Sequence, residues 1–419
     1  MTFLKTEGVS SIKNKNVSLL IIFIIIFILL TLLSGNKVVK IDNAADLMKY
    51  FSRAVANKEI ILASGIYELD PIFIIDETCG NCENPDQPVV ATAGLIISGK
   101  NITLSGPEDK SAVIVTNSGY GIYLLNCEQA ILKNLTITGG TRDSSALATD
   151  AAIVVKNSTA IVKNNLIQNN IGDSLLIEKN IVGIMGICGR ENSRLEISNN
   201  RILNNSWDGI ALYRDAEAVI EENVINGIVN VAREAGGGRG VGIGVTWNAR
   251  AEITHNLIKN YWKGIGLFVN AHGVVRGNFI ENCLTWGISL WDAGKGKPRG
   301  FIEANIIFDT GAMGMSVTSS TQDDPGYFKD NIVVKTGQNP AYDAADYYGF
   351  QCALALHSVP ENFEITENIF YNNRRASEDL PNYDLSQRDF YDELEKRKTE
   401  IFELPLKQES GFYRLYFLK

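Results

Sequence analysis

A short phrase built on asparagine recurs along the chain and constrains its fold more than any other feature. The phrase is an Asn, a residue of any type, an apolar residue, another residue of any type and then Asn or Asp. It begins at Asn165, Asn200, Asn256, Asn278, Asn305 and Asn368. A short repeat made of strand-like segments and turn residues indicates stacked coils, because a single coil cannot bury its apolar edge without neighbours.

A second phrase, a Gly followed by alternating apolar residues, lies between the Asn phrases. It begins at Gly209, Gly242, Gly264, Gly287 and Gly314. In three of these coils the next Asn follows the Gly by 14 residues. The two phrases at near-constant spacing predict a parallel β-helix, in which each turn of the chain stacks on the one before.

A third apolar column lies three residues before the first Asn of each phrase. Its members are Ile131, Val162, Ile197, Ile220, Ile253, Val275, Ile302 and Ile365. Each coil therefore has three short strands, whose inward side chains stack about 4.8 Å from the next coil. The Asn residues at the bends can form amide ladders that satisfy turn backbone groups. Weaker copies at Asn101, Asn134, Asn223 and Asn331 bring the expected total to about ten coils.

The sequence around this repeat predicts an all-β domain with a capping segment at each end. We expect residues 1–16 on the cytoplasmic side, 17–33 as a membrane or signal segment, 37–94 as an N-terminal cap and loop, 95–373 as the β-helix and 374–419 as a C-terminal cap. Apolar residues at helical spacing predict a helix over Ala44–Ala56. At the other end we expect a polar helix over Ser386–Lys398 and a strand over Gly411–Leu418.

The N-terminal segment Val17–Leu33 contains only Ser18 and Thr31 as polar residues. Seventeen apolar-rich residues are at the short end of what spans a bilayer. Three Lys precede it with one Glu, so the positive-inside tendency places the β-helix outside the cytoplasm. We expect a single-pass transmembrane anchor. The alternative is a secreted protein released after cleavage of a signal peptide.

The chain has six cysteines. Cys79 and Cys82 lie in a polar loop, where an oxidising compartment favours a local disulfide; the other four are expected in the core or in turns.

The net charge is −9, and the first 36 residues carry +2, so the exported part carries −11. Nucleic acid is therefore not an expected partner. The region between Trp207 and Arg299 is nearly neutral and tolerates an anionic glycan.

The Gly strands align to give a face suited to an extended polymer. The outward middle position is small in every strand: Ala211, Gly244, Gly266, Ser289, Ser316 and Ala355. An aromatic edge follows, with Tyr213, Phe268 and Trp291 in one column and Trp247 offset by one residue. A small-residue floor beside aromatic rings can receive a sugar chain, and we predict that these four residues bind substrate. The alternative is that the small residues only keep the sheet compact and the tryptophans pack beneath loops.

Four charged residues on the same face are candidates for catalysis. Asp208 and Lys263 share a column two coils apart, hence about 10 Å from each other, and Arg214 and Asp292 share a second column. Removing the proton beside a uronate carboxylate needs a base together with a cation or metal, and calcium is a possible cofactor. The alternative is that these residues are solvated turn positions.

The repeats resemble the pectate-lyase-like superfamily of right-handed parallel β-helix proteins over roughly residues 40–373. The likeness includes Ile60–Leu62 with Gly65-Ile-Tyr67, and the coil Asn101-Ile-Thr-Leu-Ser-Gly106. This resemblance implies a single-stranded right-handed parallel β-helix. The superfamily contains lyases, glycosidases, epimerases, tailspikes and noncatalytic members. The polygalacturonase motifs Asn-Thr-Asp, Gly-His-Gly and Arg-Ile-Lys and the epimerase motif Asp-Pro-His-Asp do not occur here, so no family catalytic residue transfers.

Two hypotheses follow. The first is an exported, membrane-anchored polysaccharide lyase or epimerase acting on a uronate-containing glycan. The second is a noncatalytic envelope or surface protein whose β-helix face binds a glycan or another protein.

Overall fold

The computed structural model describes residues 37–179, 181–228, 240–319, 326–343 and 352–418. They form a parallel β-helix with three walls, which confirms the fold predicted from the repeats. The segment 17–33 lies outside the described residues. Within the residues described, no helix is long and apolar enough to cross a membrane.

The Gly wall contains the strands that carry the Gly phrase. It begins with β4, which pairs with β5 in antiparallel orientation; every later pairing in the wall is parallel. β5 and β7 are long enough to turn the corner into the next wall. The strands of the Gly wall are β4 (Ile72–Asp76), the first halves of β5 (Val89–Ser105) and β7 (Tyr120–Lys133), β9 (Ala151–Lys156), β12 (Met185–Arg190), β15 (Ile210–Leu212), β18 (Val241–Val245), β21 (Lys263–Phe268), β24 (Trp286–Trp291), β27 (Met313–Thr318) and β30 (Leu354–Ser358).

The third wall follows the Gly wall in each coil, and the Asn wall follows the third wall. The third wall contains β1 (Lys37–Ile41), β2 (Val55–Leu62), the second halves of β5 and β7, β10 (Thr159–Lys163), β13 (Arg194–Ser198), β16 (Glu217–Glu221), β19 (Arg250–Thr254), β22 (His272–Arg276), β25 (Arg299–Glu303), β28 (Tyr327–Lys329) and β31 (Glu364–Thr366). The Asn wall contains β3 (Gly65–Glu68), β6 (Ala112–Val115), β8 (Thr136–Thr138), β11 (Leu166–Gln168), β14 (Arg201–Leu203), β17 (Val224–Asn226), β20 (Leu257–Lys259), β23 (Phe279–Glu281), β26 (Ile306–Phe308), β29 (Ile332–Val334) and β32 (Ile369–Tyr371).

A buried ladder of asparagines joins the third wall to the Asn wall, as the repeat predicted. The side-chain amide of Asn256 donates to Asn278 Oδ1 at 3.1 Å, and the backbone N–H of Asn256 donates to the same oxygen at 2.9 Å. Each step of the ladder repeats this pattern. Its members are Asn165, Asn200, Asn223, Asn256, Asn278, Asn305, Asn331 and Asn368. The ladder satisfies turn backbone groups that would otherwise be buried without a partner.

The early coils depart from the predicted register by one residue. Leu135, not Asn134, stands beneath Asn165 at the ladder position, and its N–H donates to Asn165 Oδ1 at 3.0 Å. Consequently Leu132, rather than Ile131, pairs with Val162 in the inward column. Asn101 is also outside the ladder, because its amide donates to Asn57 at 2.8 Å in a different turn. The Asn phrase alone therefore misplaced the register of the first coils.

In the described ranges five helices accompany the walls: α1 (Ala44–Tyr50), α2 (Ser174–Glu178), α3 (Gln387–Lys396), α4 (Lys398–Glu403) and α5 (Gly411–Phe417). Short 3₁₀ turns occupy Pro340–Tyr342 and Lys407–Glu409. α1 buries Leu47 against the core, as predicted, but it ends before Ala56 because β2 begins at Val55.

The strand predicted over Gly411–Leu418 is wrong, since this segment forms α5. The buried carboxylate of Glu281 accepts the N–H groups of Gly411 and Phe412 at 2.9 and 3.1 Å and so caps the start of this helix. The segment of residues 387–417 packs its aromatic residues against the outer side of the Asn wall, where Phe412 meets Phe308. The C-terminal helices therefore lie along the side of the solenoid.

Candidate functional site

The small-residue column of the Gly wall stacks in the predicted register. Ala211 pairs with Gly244, Gly244 with Gly266, Gly266 with Ser289, Ser289 with Ser316 and Ser316 with Ala355. The column is buried, however, and does not form a bare floor. Other side chains lie over it, and these side chains define the site.

The four predicted aromatic contacts have different environments. Tyr213 is buried, and Trp247 is half-buried and donates from Nε1 to Asn81 Oδ1 at 2.9 Å. Phe268 folds back over the wall, since a Cβ built on Gly266 would stand 2.1 Å from its ring. Trp291 is 44% exposed and packs edge-on against Phe268 at 6.2 Å. Trp291 therefore offers the most accessible ring of the four.

An aromatic cage surrounds the ammonium of Lys263. Lys263 Nζ lies 4.4 Å from the centroids of both Trp262 and Trp286, 4.9 Å from Phe268 and 5.4 Å from Trp291. The lysine is buried, so these rings replace much of its water. Aromatic faces at this distance attract a cation. Two members, Trp262 and Trp286, were not predicted as site residues, although Trp286 occupies the same column as Lys263 and the sequence allowed this alignment.

Asp208 lies in the same column as Lys263 and is also buried. Val241 stands between them, paired with Lys263, and its N–H donates to Asp208 Oδ1 at 2.6 Å. Asp208 Oδ2 is 3.9 Å from the position that a Cβ on Gly244 would take. Within the part of the chain that the structure describes, the other atom near that position is Val241 Cβ, at 3.8 Å. No ion pair within 4 Å joins either charge to another group among the described residues.

Burial shifts the pKa values of Asp208 and Lys263 towards 7. Burial raises the pKa of Asp208 to about 7, opposed by the Val241 hydrogen bond and by Lys263. Burial lowers the pKa of Lys263 to about 7, opposed by the charge of Asp208. Two groups that change protonation state near pH 7 can give and accept protons under physiological conditions.

The structure does not bring Arg214 and Asp292 to this pair. Arg214 stacks on Trp247 at 4.5 Å and donates from Nε to the Gly80 carbonyl at 3.2 Å. Asp292 accepts the Gly294 N–H at 2.9 Å in the turn that leaves the wall. Both residues make local contacts at turns, and their role in catalysis stays a prediction.

A loop that we call the strap, residues 76–87, lies along the turn edge of the Gly wall. The predicted Cys79–Cys82 disulfide closes it. Besides Arg214 and Trp247, Lys295 contacts the strap through an ion pair with Glu83 at 3.2 Å. The four remaining cysteines are buried, as expected. The strap therefore occupies the surface beside Trp247 that a sugar chain was predicted to use.

Below the strap lies a buried charge cluster that the sequence did not reveal. The Asp76 carboxylate accepts a hydrogen bond from Tyr120 OH at 3.0 Å and forms ion pairs with Arg190, whose Nη1 lies 3.0 Å away, and with Lys156. Arg190 also donates to Thr149 Oγ1 at 2.7 Å. The cluster ties the strap to the first coils.

A groove of about 750 Å³ lies on the outer side of the third wall. Its walls mix aliphatic residues with Arg and Glu: Ile131, Ile161, Glu196, Val219, Glu252 and Val274 alternate along the coils, and Arg194, Glu217, Arg250 and His272 lie at one edge. It lies on a different wall from Asp208 and Lys263.

The predicted calcium remains a prediction. Within the ranges that the structure describes, no group of three or more His, Cys, Asp or Glu side chains could hold a metal ion.

Comparisons with known proteins place this chain in a family by sequence. The family described as a right handed beta helix region matches residues 89–240 and 185–370. Because these matches together span more than half of the chain, the protein belongs to this family. The membership confirms the predicted resemblance at the level of the right-handed β-helix. No curated protein matches the chain.

Several solved structures are similar to this chain at low identity. An exopolygalacturonase from Thermotoga maritima is 11% identical with a TM-score of 0.49, over 81% of this chain and 94% of its own. A periplasmic alginate epimerase is 13% identical with a TM-score of 0.42, over 80% and 84%. The adhesin PfbA of Streptococcus pneumoniae is 12% identical with a TM-score of 0.35, over 81% and 74%.

Proposed function

We propose that this protein is a membrane-anchored, extracytoplasmic β-helix enzyme that performs proton transfer on a polysaccharide bound at the Gly wall. The observation that carries the proposal is the Asp208–Lys263 pair. Two buried ionisable groups share one column of the Gly wall, each has a pKa of about 7, and the exposed Trp291 adjoins Lys263. Such an arrangement is costly for folding and is typical of functional sites.

The chemistry that fits the pair is removal of a proton beside a carboxylate. A uronate residue presents an acidic C–H next to its carboxylate. Asp208, when ionised, accepts this proton, and the Lys263 ammonium stabilises the negative charge that develops on the carboxylate. In a lyase the electron pair then expels the neighbouring glycosidic oxygen; in an epimerase a proton returns to the other side of the carbon. Hydrolysis is less suited, because it needs two facing carboxylates and the charged residue that shares the column with Asp208 is a lysine.

Substrate contact would use the exposed ring of Trp291. Sugar rings stack on aromatic faces, which bury area at a small entropic cost. The net charge of the chain makes nucleic acid an unsuitable partner. Attachment to the membrane would come from Val17–Leu33, with the β-helix on the extracytoplasmic side.

A bell-shaped dependence of rate on pH follows from these roles. Asp208 must be ionised, which requires a pH above about 7, and Lys263 must be charged, which requires a pH below about 7. Turnover should therefore peak near pH 7 and fall on both sides.

The test is incubation of the full chain with a panel of uronate-containing glycans, with and without calcium. Absorbance from new unsaturated ends would identify a lyase, and NMR of the recovered glycan would identify an epimerase. Asp208→Asn and Lys263→Gln should each lower turnover at least about 100-fold, a size typical of a lost acid–base group. The matched control is Asp215→Asn, at an exposed carboxylate on a neighbouring turn. Equal turnover in Asp208→Asn and the control would refute the assignment.

Recognition without catalysis is a second candidate function, favoured by the 750 Å³ groove on the third wall. An extended ligand could lie across its coils without approaching Lys263. Glycan binding that Val219→Arg abolishes and Lys263→Gln leaves intact, with no altered product, would support this function and contradict the first.

A further inference from the structure

The N-terminal end of the solenoid carries an unusual concentration of exposed apolar side chains. Phe73 is 85% exposed, Ile66 73% and Ile75 72%; Val38, Ile72 and Val90 are also exposed. By contrast, the most exposed aliphatic residue on the outer side of the later third-wall strands, Val219, is 39% exposed. We call these six N-terminal residues the apolar collar.

The collar surrounds the solenoid, because it occupies the first strand of each wall. Val38 lies on β1 of the third wall, Ile66 on β3 of the Asn wall, and Phe73 and Ile75 on β4 of the Gly wall. Val90 on β5 pairs directly with Ile75. Coils are about 4.8 Å apart, so the collar lies within about 5–10 Å of this end along the axis. Soluble proteins rarely leave such a patch uncovered, and edge strands are normally protected by charged residues.

The connection to the N-terminal apolar segment indicates what covers the collar. The segment Val17–Leu33 ends four residues before β1 begins at Lys37. Four residues span at most about 14 Å in any conformation. A bilayer that holds residues 17–33 must therefore lie close to the first coil.

The charge around the collar favours contact with lipid chains over contact with anionic headgroups. Residues 37–75 contain five Lys or Arg and five Asp or Glu, so this region has no net charge. Peripheral apolar residues commonly enter the interface to a depth of about 5–10 Å, which matches the extent of the collar.

We propose that the apolar collar contacts the bilayer surface, so that the β-helix stands on the membrane on its N-terminal end. This inference rests on the proposed membrane attachment but not on catalysis. The contact would hold the solenoid axis upright and keep the Gly wall at the side, accessible to a polymer that runs parallel to the membrane.

Site-specific fluorescence on the full chain in phosphatidylcholine vesicles tests the proposal. Phe73→Cys is labelled without reductant by an environment-sensitive dye; the four free thiols are buried and the other two form the disulfide. Vesicles with spin-labelled acyl chains should quench the dye at least about twofold. The matched control is Val219→Cys on a distant part of the third wall, where quenching should be absent.

A second variant checks the cause. Phe73→Asp with Ile75→Asp should abolish quenching of a dye at Val90→Cys. Equal quenching at positions 73 and 219, or none at either, would overturn the proposal. Dye self-quenching at position 73 without quenching by lipid would show that a second copy covers the collar, which also overturns it. Alkaline carbonate extraction measures attachment through residues 17–33 separately. If carbonate releases the chain, residues 17–33 do not anchor it. Quenching by lipid at position 73 would then still support contact between the collar and the bilayer, and absence of that quenching would overturn the contact.

Discussion

The Gly wall holds two groups of buried charges that differ in how they are neutralised. In the charge cluster under the strap, Arg190 contacts the carboxylates of both Asp76 and Glu191, and Lys156 contacts Asp76. In the cage, Lys263 contacts aromatic rings, and Asp208 accepts a backbone N–H. The cluster has opposite charges in contact, whereas the pair has them two coils apart.

This difference changes the acid–base behaviour of the two groups. Burial opposes the charge of Arg190, but its hydrogen bond with Glu191 and the nearby Tyr120 and Asp76 outweigh burial and raise its pKa. For Lys263 burial prevails and lowers the pKa to about 7. Arg190 therefore stays charged in contact with its partners, whereas Lys263 changes protonation state near pH 7. The comparison therefore separates a structural cluster from a candidate active site on the same wall.

The largest expected effect comes from breaking the cluster. Arg190→Met should destabilise the protein by about 3–5 kcal/mol, because the buried Asp76 would keep only Lys156 as an ion-pair partner and the partly buried Glu191 would lose its own. Urea denaturation followed by circular dichroism measures this loss. The control is Arg194→Met, whose exposed ion pair with Glu217 at 3.4 Å should contribute less than about 1 kcal/mol. A loss under 1 kcal/mol in Arg190→Met would contradict the structural role.

A third buried carboxylate sharpens the comparison. Burial and the neighbouring Asp143 raise the pKa of Asp150 to about 8, and in the described structure Asp150 Oδ1 has no hydrogen-bond partner. A carboxyl with a raised folded pKa stabilises the protein fully below the unfolded value near 4, and this contribution is lost as the pH rises towards 8. Asp150→Asn should therefore be more stable than wild type by about 1–3 kcal/mol at pH 8.

The same variant supplies its own control at low pH. Near pH 4 Asp150 is protonated in the folded state and about half protonated in the unfolded state, so the advantage of Asn should nearly disappear. Thermal denaturation at pH 4, 6 and 8 measures the trend. An advantage that does not change with pH would show that Asp150 does not titrate as described.

The smallest stability effect is expected for Lys263→Met, although it should abolish turnover. Met fills the aromatic cage without a charge, and among the described residues no ion-pair partner would be left, so stability should rise by about 1 kcal/mol near pH 7. Burial lowers the pKa of Lys263 in the folded protein. Its contribution to stability is therefore fully present above the unfolded pKa of about 10.5, where the lysine is neutral in both states, and is lost as the pH falls to 7. The gain from Met should accordingly shrink between pH 7 and 10. A large destabilisation would instead assign the lysine a structural role.

The fold was accessible from the sequence because each strand repeats with its turn residue. The second Asn of the phrase shows why: Asn169, Asn204 and Asn260 all adopt a left-handed backbone with φ of 54°, 53° and 65°, which Asn tolerates better than most residues. The first coils lack a regular Asn phrase, so Ile131 was assigned to the inward column instead of Leu132. The segment Gly411–Leu418 has no repeat at all, and its helix depends on Glu281, 130 positions away in the chain.

The candidate site could be predicted only in part from the sequence, for a related reason. The shared column of Asp208 and Lys263 follows from coil periodicity and could be read directly. The position of the strap does not follow from periodicity, because the strap has no repeat. Its contacts join Asp76 to Arg190 and Gly80 to Arg214. Burial of the small-residue column was also outside the reach of periodicity, because it depends on Phe268 folding back over Gly266.

Direct titration of Lys263 tests the central claim. The full chain labelled with ¹³C at lysine Cε is followed by NMR from pH 5 to 11, and the Lys263 signal is assigned by its loss in Lys263→Gln. We expect a change in the Cε chemical shift with a midpoint at a pH of about 7. The midpoint should move in Asp208→Asn, because the opposing charge is removed. A midpoint above pH 9, unaffected by Asp208→Asn, would show that the cage only holds a permanent cation and would contradict the proposed acid–base pair.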